Sequence, residues 1–429
     1  MITTNLNRTK APALHIPNSL TIPRAETFVL SNNIPVYYFR AVHQELVLLK
    51  LVFAAGNWYE PKKLVASFTN SMIKEGTTTR TSKALMDEIE YYGASIRTQS
   101  KKNYAEVQIF TLSKHLSKLL PLLKDMLQNA TFSAEELAIK LRNSQQKLAI
   151  NLQKNDFIAA RKFRQNIYGE NHPYGYASET TDYENLTIDE LKAFYKTHYT
   201  ADNCTIYLAG CFSDQNLKDI DDYLGQNDWK SENKIATPQH QASIYTPTIE
   251  YISRPQTMQA AITIGFPLFN HTHEDYPLMF FTNTILGGFF GSRLMRNIRE
   301  EKGYTYGIYS AIMPLLHGGH FYISTEVGLD VWKETVKEIF FEIERLKTVP
   351  LDSEELTLVQ NYLMGVLMSQ TDGVFHLASA FQGINSYGMD LDYYEKMSVT
   401  IKNATAKQVQ EMAQKYFDTE KMSQFVVGK

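Results

Sequence analysis

Arg299 and Tyr306 stand seven residues apart in Arg299-Glu300-Glu301-Lys302-Gly303-Tyr304-Thr305-Tyr306. A guanidinium is a planar, permanently charged fork suited to carbonyl oxygens, and a phenol is an O–H donor. Such a pair can grip a substrate rather than break its bonds. An isolated arginine and tyrosine at this spacing would be a helix-end cation and a core ring. Local pattern sharpens the reading. Leu294 and Ile298 form one helical stripe with Met295 beside it, Lys302 falls in the last turn, and Gly303 suits a left-handed helix end. Tyr304, Tyr306 and Ile308 then alternate with Thr305, Gly307 and Tyr309, the period of a strand. A sharp helix-to-strand turn brings Arg299 and Tyr306 to one pocket.

Other reactive side chains carry less. His271, His273, Glu274 and Asp275 could make a surface metal patch, but they sit in a polar loop ahead of the apolar run Tyr276–Phe281. No distant ligand completes them, so a solvated loop or helix start is the better reading. His317-Gly318-Gly319-His320 reads as a hairpin turn, and His172, in Gly169-Glu170-Asn171-His172-Pro173-Tyr174-Gly175, as a structural turn residue. Cys204 and Cys211 are too widely spaced for a redox or zinc pair and imply no disulfide framework. Cys204 lies in an alternating strand pattern, as a small core residue. Neither a phosphate loop, a dinucleotide fingerprint nor a serine-nucleophile elbow is present.

The elements that must position these residues repeat along the chain. Thr187 and Glu190 form a capping box, as do Thr405 and Gln408. Leu191, Phe194 and Tyr199 match Val409, Met412 and Phe417, and Cys204–Gly210 matches Met422–Gly428, all at a spacing of 218. Phe28–Leu30 and Val36–Phe39 flank Asn32-Asn33 as a hairpin, a strand covers 46–53, and helices are predicted over 64–75, 82–92, 114–128 and 134–167. Strands clustered by hairpins and followed by runs of helices indicate an α+β class with two similar domains, each a mostly antiparallel sheet packed with helices. The boundaries drawn are 1–230 and 246–429, with a polar linker over 231–245.

Bulk properties exclude several classes. Of 429 residues, 44% are hydrophobic, enough for real cores, and the net charge of -3 favours neither nucleic acid nor an anionic membrane as partner. No apolar run approaches the roughly 18 residues of a membrane span. The first thirty residues show no apolar signal core, so a cytoplasmic location is expected.

One helix gives the chain its resemblance. Gly56-Asn57-Trp58-Tyr59-Glu60-Pro61 precedes a helix that ends at Gly76-Thr77, with Leu64, Phe68 and Met72 as its core stripe and Ser67, Asn70, Ser71 and Lys74 on a different face. Gly-x-x-Tyr-Glu-Pro, a helix and Gly-Thr, followed by His172-Pro173-Tyr174-Gly175, resemble the pitrilysin (insulinase-type, inverzincin) metallopeptidase family from about residue 30 onward. In that family the helix carries His-x-x-Glu-His, two zinc ligands and a general base. Here Ser67, Asn70 and Ser71 occupy those positions, and serine and asparagine are poor zinc ligands. The region that would supply the third ligand, Asn143–Asn155, contains no Asp, Glu, His or Cys. The resemblance therefore implies no metal or other cofactor in this chain.

The family also places an arginine and, seven residues on, a tyrosine at a helix-to-strand turn facing the zinc helix. Arg299 and Tyr306 match, and the resemblance gives them substrate-carbonyl anchoring and oxyanion stabilisation. Chains of this length pair into a four-domain clamshell, and some pairs are heterodimers in which one subunit holds zinc and the other the arginine and tyrosine. The chain is similar to the second kind. The implied partners are a homologous His-x-x-Glu-His subunit carrying the zinc, and an extended peptide added along a sheet edge. A homodimer is possible for the isolated chain. The short Gly287–Gly291 stretch fits bacterial subunits better than the long glycine-rich loop of the mitochondrial processing peptidase's non-catalytic subunit. The alternative is a non-enzymatic scaffold of the same fold, with Arg299 and Tyr306 as relics. A third, weaker reading is an active peptidase with unrecognised ligands.

Overall fold

The computed structural model describes residues 8–10, 20–230, 235–255 and 257–428. Strands β1 (Glu26–Val29), β2 (Pro35–Arg40), β3 (Leu46–Phe53), β4 (Ser95–Ser100), β5 (Ala105–Leu112) and β6 (Cys204–Gly210) form one sheet in the order β1-β2-β6-β3-β5-β4. β1 and β2 are the hairpin expected at Asn32-Asn33, and Asn33 takes the left-handed conformation the turn requires, φ 72°. Strands β7 (Ile249–Ile252), β8 (Gln259–Pro267), β9 (Thr305–Leu315), β10 (Gly318–Gly328) and β11 (Ser423–Val427) form a second sheet in the order β7-β11-β8-β10-β9.

The two sheets share one plan. The pair β2–β6 is parallel and so is β7–β11, while β6–β3–β5–β4 and β11–β8–β10–β9 are antiparallel throughout. Thr187 and Thr405 both cap their helices with reciprocal boxes. Each copy ends on a glycine in a left-handed conformation, Gly210 at φ 118° and Gly428 at φ 108°. The chain is thus α+β, with two similar domains.

Each sheet buries one face against its own helices, in two separate cores. The first gathers Leu49, Leu51, Val65, Met72, Leu119 and Leu123, and the second Ile262, Ile264, Leu294, Ile298, Ile339 and Ile343. The opposite faces are covered by exchange. Helix Asn155–Tyr168, from the first half, lies on β8 and β11 of the second sheet. Helix Gly373–Asn385, 218 residues later, lies on β2 and β6 of the first. Equivalent rings anchor both: Phe163 packs against Phe425, and Phe381 against Tyr37 and Tyr207.

The long helix expected over 134–167 is two helices, Ala134–Asn151 and Asn155–Tyr168. At the break the N–H groups of Gln153 and Lys154 donate only three residues back, to Ile150 and Asn151. This tighter turn redirects the chain from the first core toward the second sheet. Residues 231–234 of the expected linker lie outside those described. Beyond them, Pro238 and His240 dock on Trp58, whose indole N–H donates to the Pro238 carbonyl at 3.0 Å.

Candidate functional site

Arg299 lies on helix Met295–Glu301, which is wound as a π-helix, as is Thr284–Gly288 before it. The Lys302 N–H reaches back five residues to the Asn297 carbonyl at 3.0 Å. Wide turns of this kind change which side chains share a face and recur at functional sites. Gly303, at φ 65°, then reverses the chain into β9. The turn brings the two predicted residues together: the Arg299 guanidinium stands 5.0 Å from the centre of the Tyr306 ring and 4.7 Å from that of Phe290. Among the described residues it makes no ion pair or hydrogen bond. Tyr306 is 89% exposed, so its hydroxyl is open to an incoming group.

Tyr306 and Phe290 line a cavity of about 580 Å³, and Arg299 braces their rings from outside its wall. Gly287 and Gly288 form another side. Gly287 approaches β9 so closely that a Cβ would stand 2.6 Å from the Ser310 nitrogen, which excludes any larger residue. Glu326 and Asp156 also line the cavity, and burial and the Asp156 charge push the Glu326 carboxyl up. The segment is pinned by Arg293, which donates from Nε and Nη2 to both oxygens of Glu355 at 2.9 and 2.8 Å. Sequence reading singled out neither Phe290 nor this ion pair.

Ser67, Asn70 and Ser71 lie in the first half, on helix Val65–Met72. Their chemistry does not fit a zinc ion. The Ser67 and Ser71 hydroxyls each donate to their own helix, to the carbonyls of Leu64 and Phe68 at 3.0 Å. Asn70 is 1% exposed and its amide donates to the Glu106 carbonyl at 3.3 Å. Asn70 thus joins the core rather than sharing an open face with the serines, as the periodicity suggested. The helix is short and covered on more than one side, by β4, β5 and helix Ile188–His198. Among the described residues, no three His, Cys, Asp or Glu side chains are grouped so as to hold a metal ion.

The histidines of these loops and turns are structural. His172 sits in a buried turn, its Nδ1 accepting from the Tyr174 N–H at 3.1 Å, and burial with nearby His240 and Lys102 lowers its pKa to about 4. His271 Nδ1 is hydrogen-bonded to the Tyr393 hydroxyl at 2.8 Å, and His273 accepts from Asp275 at the start of helix Tyr276–Asn283. His317 lies in the β9–β10 turn, stacked on Trp58, and His320 is buried beside Tyr168. Cys204 is buried in β6, and burial pushes its thiol up.

Residues 38–175 match the family model for insulinase (peptidase family M16), and residues 185–363 match the model for the peptidase M16 inactive domain. The chain belongs to the insulinase peptidase family. Within it, a zinc protease of Bacillus subtilis called YmxG is 26% identical over 71% of this chain and 73% of its own. A Helicobacter pylori protein called a non-peptidase homolog is 22% identical over 88% and 87%. A crystal structure of a peptidase M16 inactive domain from Pseudomonas fluorescens superposes with a TM-score of 0.86 at 25% identity, covering 94% of this chain and 98% of that one. The periplasmic protease PqqL of Escherichia coli shares the fold with a TM-score of 0.79 at 14% identity, the whole of this chain spanning 48% of it. By its match to the inactive-domain model and its likeness to the inactive-domain structure, this chain is an inactive homologue of the family's peptidases. No helix among the described residues is long and apolar enough to cross a membrane.

Proposed function

We propose that this chain is the zinc-free, substrate-gripping subunit of a two-chain insulinase-type peptidase. Its partner is a homologous chain whose helix carries His-x-x-Glu-His and zinc. Arg299 and Tyr306 complete the partner's site, the first anchoring peptide carbonyls and the second donating to the oxygen that gains charge. One observation carries this reading: a guanidinium braced only by two rings beside an exposed phenol, on a chain whose own ligand helix has been filled in with core and self-bonded side chains. A structural role alone gives no reason for a cation without an ion pair among the described residues to stack on a ring as exposed as Tyr306. The two cysteines are unpaired, which suits a cytoplasmic setting.

The test is reconstitution. The chain is mixed with a zinc-bearing homologue from the same organism and hydrolysis of an extended peptide is followed. Activity should require both chains, and Arg299→Ala should reduce kcat/KM by about tenfold or more, mainly through KM, without unfolding the protein. Unchanged hydrolysis with Arg299→Ala would remove the assigned role, and a chain that never stimulates hydrolysis would favour the scaffold.

A further inference from the structure

The strand registers map one half onto the other, and three equivalent positions differ in a telling way. Tyr207 on β6 faces Lys50, and Phe425 on β11, 218 residues later, faces Thr263. Thr205 faces Val52, which faces Glu106, whereas Ser423 faces Gly265, which faces Tyr322. Lys50 therefore corresponds to Thr263 and Glu106 to Tyr322. On the exchanged helices Gln382 corresponds to Arg164, again at 218.

In the first half the three positions close on one another. Lys50 Nζ donates to Gln382 Oε1 at 2.7 Å, Gln382 Nε2 donates to Glu106 Oε2 at 3.1 Å, and all three are buried. In the second half no acid answers Arg164. Among the described residues its guanidinium has neither an ion pair nor a hydrogen bond, and Thr263 and Tyr322 leave a cavity of about 450 Å³ in front of it. Phe163, Tyr309 and Tyr322 wall this cavity, no Asp or Glu lines it, and a second cation, Lys102, reaches it from the loop between β4 and β5. Lys102 already donates to the Pro173 carbonyl at 2.9 Å, which holds its ammonium in place. Burial, with the Arg164 charge adding to it, lowers the Lys102 pKa to about 8. Two like charges in a ring-walled cavity are unfavourable without an anion between them; Glu60 offsets part of the Lys102 charge, but among the described residues no carboxylate acts on Arg164.

We infer that this cavity binds a carboxylate borne on an apolar body, namely the C-terminal carboxylate of a peptide. Arg164 forks onto the carboxylate, Lys102 adds charge, and the rings take the last side chain. The location favours a peptide end. Tyr309 and Ser324 line both this cavity and the one at Tyr306, so the two form one track along β9. Tyr309 lies about 10 Å along the strand from Tyr306, at a rise of about 3.3 Å per residue. The cavity thus receives the end of a chain gripped a few residues earlier. The inference shares with the proposed function the peptide but not the zinc-bearing partner, so it is tested on this chain alone.

Isothermal titration of the full chain uses three probes: N-acetyl-Ala-Ala-Ala-Phe as the free acid, the same peptide as its amide, and 3-phenylpropionate. The acid should bind more tightly than the amide by about tenfold or more. Arg164→Gln, which installs the residue of the equivalent position, should abolish that preference, while Arg164→Lys, which keeps the charge but loses the fork, retains part of it and controls for folding. Equal binding of acid and amide, absence of binding by either, or an unchanged preference in Arg164→Gln would each overturn the inference. Binding of 3-phenylpropionate without the peptide acid would overturn the peptide source and assign the cavity to a free aromatic acid.

Discussion

Arg293 and Glu355 meet fork to fork at 2.9 and 2.8 Å, with only 6% and 15% of their side chains exposed. The pair ties the start of the wide-turned helix that carries Arg299 to helix Ser353–Gln370. It lies between elements far apart in sequence, yet it decides where the Arg299–Tyr306 turn sits on the second core. Removing one partner strands a buried charge, and the Arg293 Nη1 atom already lacks a partner. Glu355→Ala should therefore destabilise the fold by about 3–5 kcal/mol, read as a lower urea midpoint.

Tyr306→Phe should separate function from folding. Tyr306 is 89% exposed and among the described residues its hydroxyl makes no hydrogen bond, so stability should stay within about 0.5 kcal/mol of the original. If the phenol donates to the reacting oxygen, kcat of the reconstituted pair should fall by about a hundredfold. Urea unfolding and peptide hydrolysis measured on the same preparation would check both halves of this expectation.

Acid should weaken the fold through buried histidines. Burial lowers the pKa of His172 and His271 to about 4 and of His320 to about 3, below the ordinary 6.5. The unfolded chain then takes up protons first as pH falls. The stability each neutral ring contributes is complete above about 6.5 and declines below it, by up to about 1.4 kcal/mol per pH unit for each ring. Glu60 opposes this, because burial raises its carboxyl to about 7 and the folded state binds its proton first. Glu326 is raised as well, but His198 and His317 are lowered too, so five histidines outweigh two carboxyls and the urea midpoint should be lower at pH 5 than at pH 7. His271→Phe should reduce that loss, and an identical loss in the variant would exclude His271 from it.

Asn70→Asp should test how completely the ligand helix has been absorbed into the core. Asn70 is 1% exposed and uses its amide as a donor to Glu106. A carboxylate there loses the donor and buries a charge, at a cost of about 2 kcal/mol or more near pH 7. Its folded pKa would be raised, so the deficit should shrink as pH falls toward 4 and the group protonates. Equal stability of the two proteins at pH 7 would show that water reaches this position.

What could be read along the chain was whatever short-range geometry controls. The capping boxes of Thr187 and Thr405, the left-handed turn at Gly303 and the β9 alternation depend on neighbours a few residues apart, and the 218-residue repeat is legible because it copies such local motifs. The Arg299–Tyr306 approach belongs with them, because one helix-to-strand turn suffices to make it. Three things were decided only in the folded chain. The break at 152–154 carries no glycine or proline, and the helix after it lies on β8 and β11 of the other sheet, a partner no local pattern names. An apolar stripe says that a helix is covered, not by which sheet. Asn70 became buried for the same reason, since period alone cannot tell how many sides of a short helix are packed. The contrast between Gln382 and Arg164 needed both sheets in register, because only the exchange of helices places the one between Lys50 and Glu106 and the other before Thr263 and Tyr322.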